Sequence, residues 1–235
     1  MIATYLNKVA KYKNTIASLA SYVPIPSNYV AYWKFNGDYT DETGNYNGAK
    51  VGTGGPNFVA GKIGQCVELN INETINTQYI NTGLSSDSFF NETKPYTISF
   101  WFKTLHSSRD FFCTFNAGAA PFFCNHEASP NYYLTFGRVS SGGVDGVLVP
   151  GLVYLDNEWH HFLGRYDSQT VDFWLDGVFK GSKASTLSTN ENDDSLTIGR
   201  HGDYNGYYYH GYLDNFRIYD YAITDEQILS LSIED

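Results

Sequence analysis

The chain has 235 residues and a formal net charge of −10, and it contains 20 Tyr, 16 Phe and 22 Gly. This length suits one large domain, and the aromatic and glycine content favours a β-rich fold. The excess of acidic residues argues against a nucleic-acid binder, which normally presents a basic face. No apolar run approaches the roughly 18 residues that cross a membrane, so we predict no membrane span.

The first 28 residues differ from the rest in charge and in periodicity. They contain Lys8, Lys11 and Lys13 and no acidic residue. Pro24 and Pro26 end a heptad pattern of apolar side chains that recur in alternating steps of three and four, as in an amphipathic helix. The apolar positions are Ile2, Tyr5, Val9, Tyr12, Ile16, Leu19 and Val23.

Two interpretations of this helix stay open. It can lie on the domain that follows, or it can dock onto another subunit. Lys8 and Lys13 would face each other in a parallel homomer, so an acidic or heterologous partner fits better than self-pairing. We therefore predict a docking or oligomerisation helix with a Pro-containing linker at 1–28 and a β domain at 29–235. Residues 15–23 are too polar for the apolar core of a signal peptide, so we expect synthesis in the cytoplasm without a secretory signal.

From residue 29 onward the pattern changes to short apolar runs separated by turn residues. Asp176-Gly177 predicts a type I′ hairpin turn, and Thr224 with Gln227 predicts a capping box at the start of a C-terminal helix. Regularly spaced short strands indicate an antiparallel two-sheet sandwich. The predicted strands are 31–35, 61–69, 96–103, 111–115, 132–138, 146–155, 159–166, 171–175, 178–180, 195–199 and 207–219.

The last of these strands carries an aspartate on a face that we interpret as buried. With a period of two, Tyr212, Asp214, Phe216 and Ile218 share one face, and the last two mark it as the inward one. A buried carboxylate without a partner is unfavourable. We therefore expect a basic side chain, a set of backbone N–H groups or a metal ion to meet Asp214, and the oxygen-rich loop at 36–48 is the nearest candidate source.

The order of these motifs resembles the laminin-G-like, concanavalin A-like jelly-roll family. The resemblance runs from about residue 29 to 231 and implies an all-β, antiparallel two-sheet jelly-roll sandwich. The N-terminal amphipathic helix and the short C-terminal helix are additions to that sandwich. The matching segments are 33–37, 41–48, 61–64, 96–103, 158–161, 175–177, 211–219 and the capped helix.

Members of this family often hold one structural calcium ion between the first loop and the last strand. By resemblance, Asp41 and Asp214 would be side-chain ligands, with backbone or amide oxygens near Asp38, Asn45 and Asn47. The chemistry agrees, because calcium takes about 6–8 oxygen ligands of these kinds. The alternative is an Asx-rich turn whose carboxylates accept hydrogen bonds from backbone N–H groups.

We expect no enzymatic activity, although the family also contains glycosidases and lyases. Retaining jelly-roll glucanases carry Glu-x-Asp-x-x-Glu on one strand, which places paired carboxylates about 5 Å apart. No such string occurs here, and its nearest echo at 191–194 lies in a polar stretch.

We expect ligand binding between residues 200 and 210. Exposed tyrosine rings there would stack on a sugar while polar groups bind its hydroxyls. The same residues suit a protein interface, and the tyrosines can alternatively pack the sheet. The candidate ligand-binding residues are Arg200, His201, Asp203, Tyr204, Asn205, Tyr207, Tyr208 and Tyr209.

Three functional hypotheses follow. The first is a non-catalytic structural or adhesion protein of a larger assembly, with a virion component such as a phage tail, fibre or capsid-decorating protein favoured. It would join other subunits through residues 1–28, bind a cell-surface glycan or a protein, and reside in the virion or outside the cell after assembly. The alternatives are a stand-alone carbohydrate-binding lectin and a glycan-active hydrolase or lyase. Cys66, Cys113 and Cys124 suggest free thiols, with a Cys113–Cys124 bridge as the alternative.

Overall fold

The structure, a computed structural model, describes residues 23–54, 57–71, 77–85, 94–104, 110–114, 123–126, 133–140, 143–151, 153–185, 195–201 and 207–235. The predicted N-terminal helix lies outside these residues except for Val23, and so its prediction and the domain boundary at residue 28 stay untested. The described elements are β1 (Ala31–Trp33), β2 (Ala49–Val51), β3 (Asn57–Ala60), β4 (Gln65–Leu69), β5 (Tyr79–Ser85), β6 (Tyr96–Lys103), β7 (Asp110–Thr114), β8 (Phe123–His126), β9 (Tyr133–Ser140), β10 (Gly143–Pro150), β11 (His160–Tyr166), β12 (Thr170–Leu175), β13 (Val178–Ala184), β14 (Ser195–Ile198), β15 (Gly211–Tyr219) and helix α1 (Asp225–Ser232).

The strands form two antiparallel sheets. The first sheet has the order β13-β12-β11-β6-β15-β4-β3, and β1 also pairs with β15. The second sheet has the order β10-β9-β8-β7-β14-β5-β2. The predicted all-β, two-sheet sandwich is confirmed, and the sequence neighbours β6 and β7 lie in different sheets, as a jelly-roll connection requires.

Aromatic side chains fill the space between the sheets. Phe100 of β6 stacks on Phe162 of β11 with ring centroids 4.7 Å apart, and on Phe216 of β15 at 5.0 Å. Phe112 reaches the same ring from the second sheet at 5.4 Å. Because each large ring removes much apolar area from water, this layer is the main source of hydrophobic stabilisation.

A second apolar layer covers the outer face of the first sheet. Leu163, Trp174 and Tyr219 point away from the main core and pack against Ile228 and Leu231 of α1. The predicted capping box begins this helix: the Gln227 amide donates to Thr224 Oγ1 at 3.3 Å, and the Thr224 amide donates to Gln227 Oε1 at 2.9 Å. Strands β6, β11 and β15 are therefore buried on both faces.

Two backbone features set the faces of the strands. Asp176 and Gly177 both have positive φ, 55° and 70°, which confirms the predicted type I′ turn between β12 and β13. In β15 the register shifts between Asp214 and Arg217, and Asn215 adopts a φ of 50°.

The bulge at Asn215 corrects one prediction. Leu213, Phe216 and Ile218 face the main core, and Asp214 does not share their face, because one extra residue reverses the alternation. Asp214 is nevertheless fully buried.

Two further expectations concern a disulfide bond and a membrane span. Cys66 and Cys124 are free and buried, so the alternative of a Cys113–Cys124 bridge is wrong. Within the described part of the chain, no helix is long and apolar enough to span a membrane.

Candidate functional site

Asp41 organises the loop after β1. Its carboxylate accepts hydrogen bonds from the amides of Tyr32 at 2.8 Å, Tyr46 at 3.1 Å and Asn45 at 3.2 Å. The amide and hydroxyl of Thr43 also donate to it. The carboxylate is almost completely buried, and the loop wraps around it because short-range Asx contacts replace the missing strand partners.

Asp214 meets a different loop from the one the sequence suggested. Its Oδ2 accepts from the amide of Ile63 at 2.9 Å, in the turn between β3 and β4, and its Oδ1 accepts from Asn215 Nδ2 at 2.9 Å. Burial raises the pKa of Asp214 to about 6, although hydrogen bonds from the amides of Ile63, Lys62 and Asn215 oppose that shift. A set of N–H groups, one of the three partners considered, therefore holds this carboxylate.

Several oxygens of the five predicted calcium ligands accept hydrogen bonds in the structure. Asp38 accepts from the Thr40 amide at 2.9 Å, and the Asn47 side chain accepts from the Asp41 amide at 3.0 Å. For Asn45, the contacts just described are through its backbone amide. Oxygens that accept N–H bonds direct their lone pairs at donors, so this set fits hydrogen-bond donors better than calcium. Among the described residues no group of three or more His, Cys, Asp or Glu is placed to hold a metal. Whether calcium binds stays untested.

The predicted recognition segment forms a paired arm at the end of β14. Arg200 pairs with Tyr208 as an antiparallel bridge, the His201 amide donates to Tyr207 O at 3.0 Å, and the Tyr209 amide donates to Gly199 O at 2.9 Å. Three of the predicted ligand-binding residues, Asp203, Tyr204 and Asn205, lie outside the described residues.

The arm and the start of β5 together hold a row of aromatic and cationic side chains, which we name the Tyr79 platform. Tyr79, Arg200, His201 and Tyr207 are half-buried, and Tyr208 is buried. The guanidinium of Arg200 lies 4.3 Å from the centre of the Tyr79 ring, and its Nε donates to His201 O at 2.8 Å. The Tyr79 and Tyr208 rings lie 6.4 Å apart, and the rings of His201 and Tyr207 lie 6.3 Å apart. Contacts of this kind fix flat ring faces and a planar cation in one place.

Two of the predicted tyrosines are not exposed. Tyr209 is fully buried, its ring lies 4.8 Å from Phe112, and its hydroxyl donates to Lys103 O at 3.0 Å. Tyr208 is 7% exposed. The expectation of exposed rings is therefore wrong for these two residues, because the pairing with Gly199 turns Tyr209 into the core. Arg200, His201 and Tyr207 remain half-buried.

The outer face of the second sheet carries polar groups that sequence reasoning missed. Asn125 of β8 and Thr135 of β9 are direct cross-strand partners on the face opposite the core residues Cys124 and Leu134. Both are 4% exposed, and Asn125 Oδ1 and Thr135 Oγ1 have no hydrogen-bond partner among the described residues. A buried polar atom without a partner is unfavourable, so this pair is suited to hold a buried water.

A histidine lies between two carboxylates at one end of the sandwich. His160 Nδ1 is 2.9 Å from Asp176 Oδ2, and His160 Nε2 is 3.0 Å from Asp156 Oδ1. Burial alone would lower the pKa of His160, but the bonds to Asp176 and Asp156 outweigh it and the net shift is upward. This Asp156–His160–Asp176 clip joins the loop before β11 to the β12–β13 turn.

The fold agrees with what sequence comparison finds. The sequence model of the Laminin-G type, described as the concanavalin A-like lectin/glucanases superfamily, matches residues 74–229, which is more than half of the chain. The chain belongs to this superfamily. No curated protein matches the chain in sequence.

The chain is also similar in structure to several solved protein domains. Domain 4 of AbnA, a GH43 extracellular arabinanase from Geobacillus stearothermophilus solved in complex with arabinotriose, has a TM-score of 0.66 at 22% identity, with 87% of this chain and 98% of that domain covered. The binding domain of Paraclostridial Mosquitocidal Protein 1 has a TM-score of 0.69 at 17% identity, and 91% of this chain and 52% of that one are covered.

The botulinum neurotoxin serotype G binding domain gives a TM-score of 0.65 at 13% identity, with 87% of this chain and 50% of that one covered. The superfamily member thus spans nearly all of the arabinanase domain and about half of the toxin binding domains. At these identities the likeness shows a shared fold.

Proposed function

We propose that the protein is a non-catalytic, lectin-like binding domain that takes a glycan on the Tyr79 platform. The observation that carries this proposal is the Arg200 guanidinium held 4.3 Å over the Tyr79 ring. Sugars bind where a flat apolar face lies beside fixed hydrogen-bonding groups, and the half-buried ring of Tyr207 beside Arg200 and His201 provides both.

The comparisons support this proposal. The related arabinanase domain was solved with arabinotriose, and the toxin relatives are binding domains. A protein ligand is the second candidate, because tyrosine and arginine are also the residues enriched in protein interfaces. A glycan-active hydrolase or lyase is the third, because the superfamily includes glucanases.

A glycan array probed with the full-length protein, followed by calorimetry on the strongest hits, tests the platform. Tyr207→Ala and Arg200→Gln are expected to weaken binding by roughly tenfold each, the equivalent of about 1.4 kcal/mol. Tyr221→Ala is the matched control, since Tyr221 is also half-buried but contacts Asn28 on the other side of the sandwich.

Three results would contradict the proposal. Unchanged affinity in both platform variants would place the site elsewhere, and no binding to any glycan would favour a protein ligand. Release of shortened oligosaccharides on prolonged incubation would show an enzyme.

The unpartnered pair on the second sheet offers a separate test of packing there. Thr135→Val removes a buried hydroxyl that has no partner among the described residues, so the unfolding midpoint of the free protein should stay level or rise. A clear fall in the midpoint would mean that the hydroxyl does have a partner.

We also propose that the domain works within a larger assembly, with a virion as the favoured setting and residues 1–28 as the link to other subunits. The positive charge and apolar seam of this segment, beside an otherwise acidic chain, support a docking role. Deleting residues 1–22 should remove the protein from purified particles. Its retention there would leave the stand-alone lectin as the better description.

A further inference from the structure

A second row of aromatic and charged side chains crosses the first sheet at the start of β15. Tyr212 pairs in register with Lys103 of β6 on one side and with Glu68 of β4 on the other. Glu68 pairs further with Asn57 of β3. Trp159 directly precedes β11, the strand that lies along the other edge of β6. Four neighbouring strands and the residue before a fifth thus contribute one side chain each, and we name these five residues the Tyr212 row.

The row points away from the main core. Val67, Phe102 and Leu213, each next to a member of the row, face the core, and successive side chains of a strand point to opposite faces of the sheet. Helix α1 covers the same outer face at Tyr219, roughly 23 Å along β15 from the row. The row is therefore separate from the layer beneath α1. Asn57 is exposed, and the half-buried members are Glu68, Lys103, Trp159 and Tyr212.

Contacts within the row hold its groups in place. The rings of Trp159 and Tyr212 lie 6.4 Å apart at an angle of 60°, and the ammonium of Lys103 lies 5.5 Å from the centre of the Tyr212 ring. Asn57 Nδ2 donates to Glu68 Oε2 at 3.0 Å. Burial raises the pKa of Tyr212, and the Glu68 carboxylate, to which the Tyr212 hydroxyl donates, raises it further. The row thus presents two rings, a cation and a carboxylate in fixed positions.

The core supports the row from below. The hydroxyl of the buried Tyr209 lies 3.0 Å from Lys103 O and 3.2 Å from Tyr212 O, and so it ties the two strands together directly under the row. The Tyr209 ring is itself held by Phe112 at 4.8 Å. Groups that are fixed before a ligand arrives lose little entropy on binding, so this arrangement favours recognition.

The unused bonding capacity of the row indicates the class of ligand. Within the described part of the chain, the ammonium of Lys103 has its ring contact and no ion pair, so its donors can meet an anion. A carboxylate has about four acceptor positions, and Asn57 and Tyr212 use two of those of Glu68. A ligand that fits has an apolar ring face, an anionic group and hydroxyl donors.

We propose that the Tyr212 row is a second binding site, for sugar residues that carry a carboxylate, such as hexuronic acids. The apolar face of the sugar packs on the rings of Trp159 and Tyr212. Its carboxylate pairs with Lys103, and its hydroxyls donate to Glu68. An acidic peptide fits less well, because it sets further carboxylates against Glu68 and brings no hydroxyls to it.

This inference goes beyond the glycan site proposed above and does not depend on it. Tyr79 is next to Ile80, which faces the core from the second sheet, so the Tyr79 platform and the Tyr212 row lie on opposite outer faces of the sandwich. Loss of binding at one site therefore leaves binding at the other unchanged, and variants of each site distinguish the two.

Calorimetry on the full-length protein tests the row with oligosaccharides of glucuronic, galacturonic and mannuronic acid, each beside its neutral hexose counterpart. At least one acidic sugar should bind more tightly than its neutral counterpart, and added salt should reduce the difference. Lys103→Met should lower the affinity for that sugar roughly fivefold, the equivalent of about 1 kcal/mol, and leave the neutral sugar unchanged. Trp159→Leu should weaken both roughly tenfold.

Two controls locate the effect. Lys180→Met is the matched control for charge, because Lys180 is exposed on β13, at the far edge of the same sheet. Arg200→Gln alters the Tyr79 platform and should also keep the preference for the acidic sugar. Lys103→Met is judged by the ratio of acidic to neutral affinity, which a loss of folded protein would not change.

Four results would overturn the proposal. They are equal affinity for acidic and neutral sugars, no binding to any acidic sugar, a preference that survives Lys103→Met, and a preference that Arg200→Gln abolishes. The last of these would assign the acidic sugar to the Tyr79 platform. Tighter binding of tetraglutamate than of every acidic sugar would assign the row to an acidic protein segment and would overturn it as well.

Discussion

The Asp156–His160–Asp176 clip makes a prediction about acid stability. A neutral imidazole donates only one hydrogen bond, so both carboxylate contacts are satisfied only when His160 carries a proton on each nitrogen. The folded-state pKa of His160 is raised above the ordinary value of about 6.5. The stabilisation is therefore complete below the unfolded-state value and is lost as pH rises through the folded-state value.

The magnitude follows from the exposure of the partners. A hydrogen bond to a charged group contributes about 1.5–3 kcal/mol when buried, but the side chains of Asp156 and Asp176 are 47% and 46% exposed. Solvent screening reduces each contact to about 1 kcal/mol. The clip should thus contribute about 2 kcal/mol to the free energy of unfolding in mild acid, which corresponds to about 4–8 °C for a chain of this size.

The assay is thermal unfolding at pH 5.5 and pH 8.5, at constant ionic strength, for the wild type and His160→Gln. The wild-type midpoint should exceed that of the variant at pH 5.5, and the difference should shrink by about 4–8 °C at pH 8.5. Asp156→Asn should give about half of the effect, and His201→Gln serves as a histidine control outside the clip. A difference that is independent of pH, or that grows as pH rises, would refute the reasoning.

Three further predictions concern Asp41, Asp214 and the buried Cys66. Asp41→Ala leaves several loop amides without an acceptor, so it should lower the free energy of unfolding by about 3 kcal/mol and the midpoint by roughly 6–12 °C. Because the wild-type carboxylate already accepts several N–H hydrogen bonds, a chelator should not change the wild-type midpoint. If calcium instead raises that midpoint and Asp41→Ala abolishes the rise, the calcium site is established. Asp214 has a folded-state pKa of about 6, above its ordinary value. The free energy of unfolding should therefore fall as pH rises from about 4 to about 6, and Asp214→Asn should flatten the pH dependence of stability in that range; an unchanged slope in titrated midpoints would contradict this. Burial raises the pKa of Cys66 to about 12, so a thiol reagent should leave Cys66 unlabelled in the folded protein at pH 8. Peptide mapping by mass spectrometry measures the labelling, and rapid labelling would be inconsistent with the buried position.

Strong local signals made part of the fold predictable. β6 was predicted at 96–103 and is found at Tyr96–Lys103, because β-branched and aromatic residues there alternate without interruption. The β12–β13 turn and the capping box of α1 rest on contacts within four residues, and both were correct. Strands β2, β3, β5 and β8 were not predicted. β2 and β3 are short and mostly exposed and so carry little apolar periodicity.

The faces of β15 needed information from beyond the strand. One asparagine with positive φ reverses the alternation after Asp214, and Asn occurs in that conformation too variably for its sequence to show it. The site has the same limit. Arg200 was a candidate from the start, but Tyr79 joins it only because β14 pairs with β5, with Thr197 opposite Asn81. That long-range register leaves no local signal.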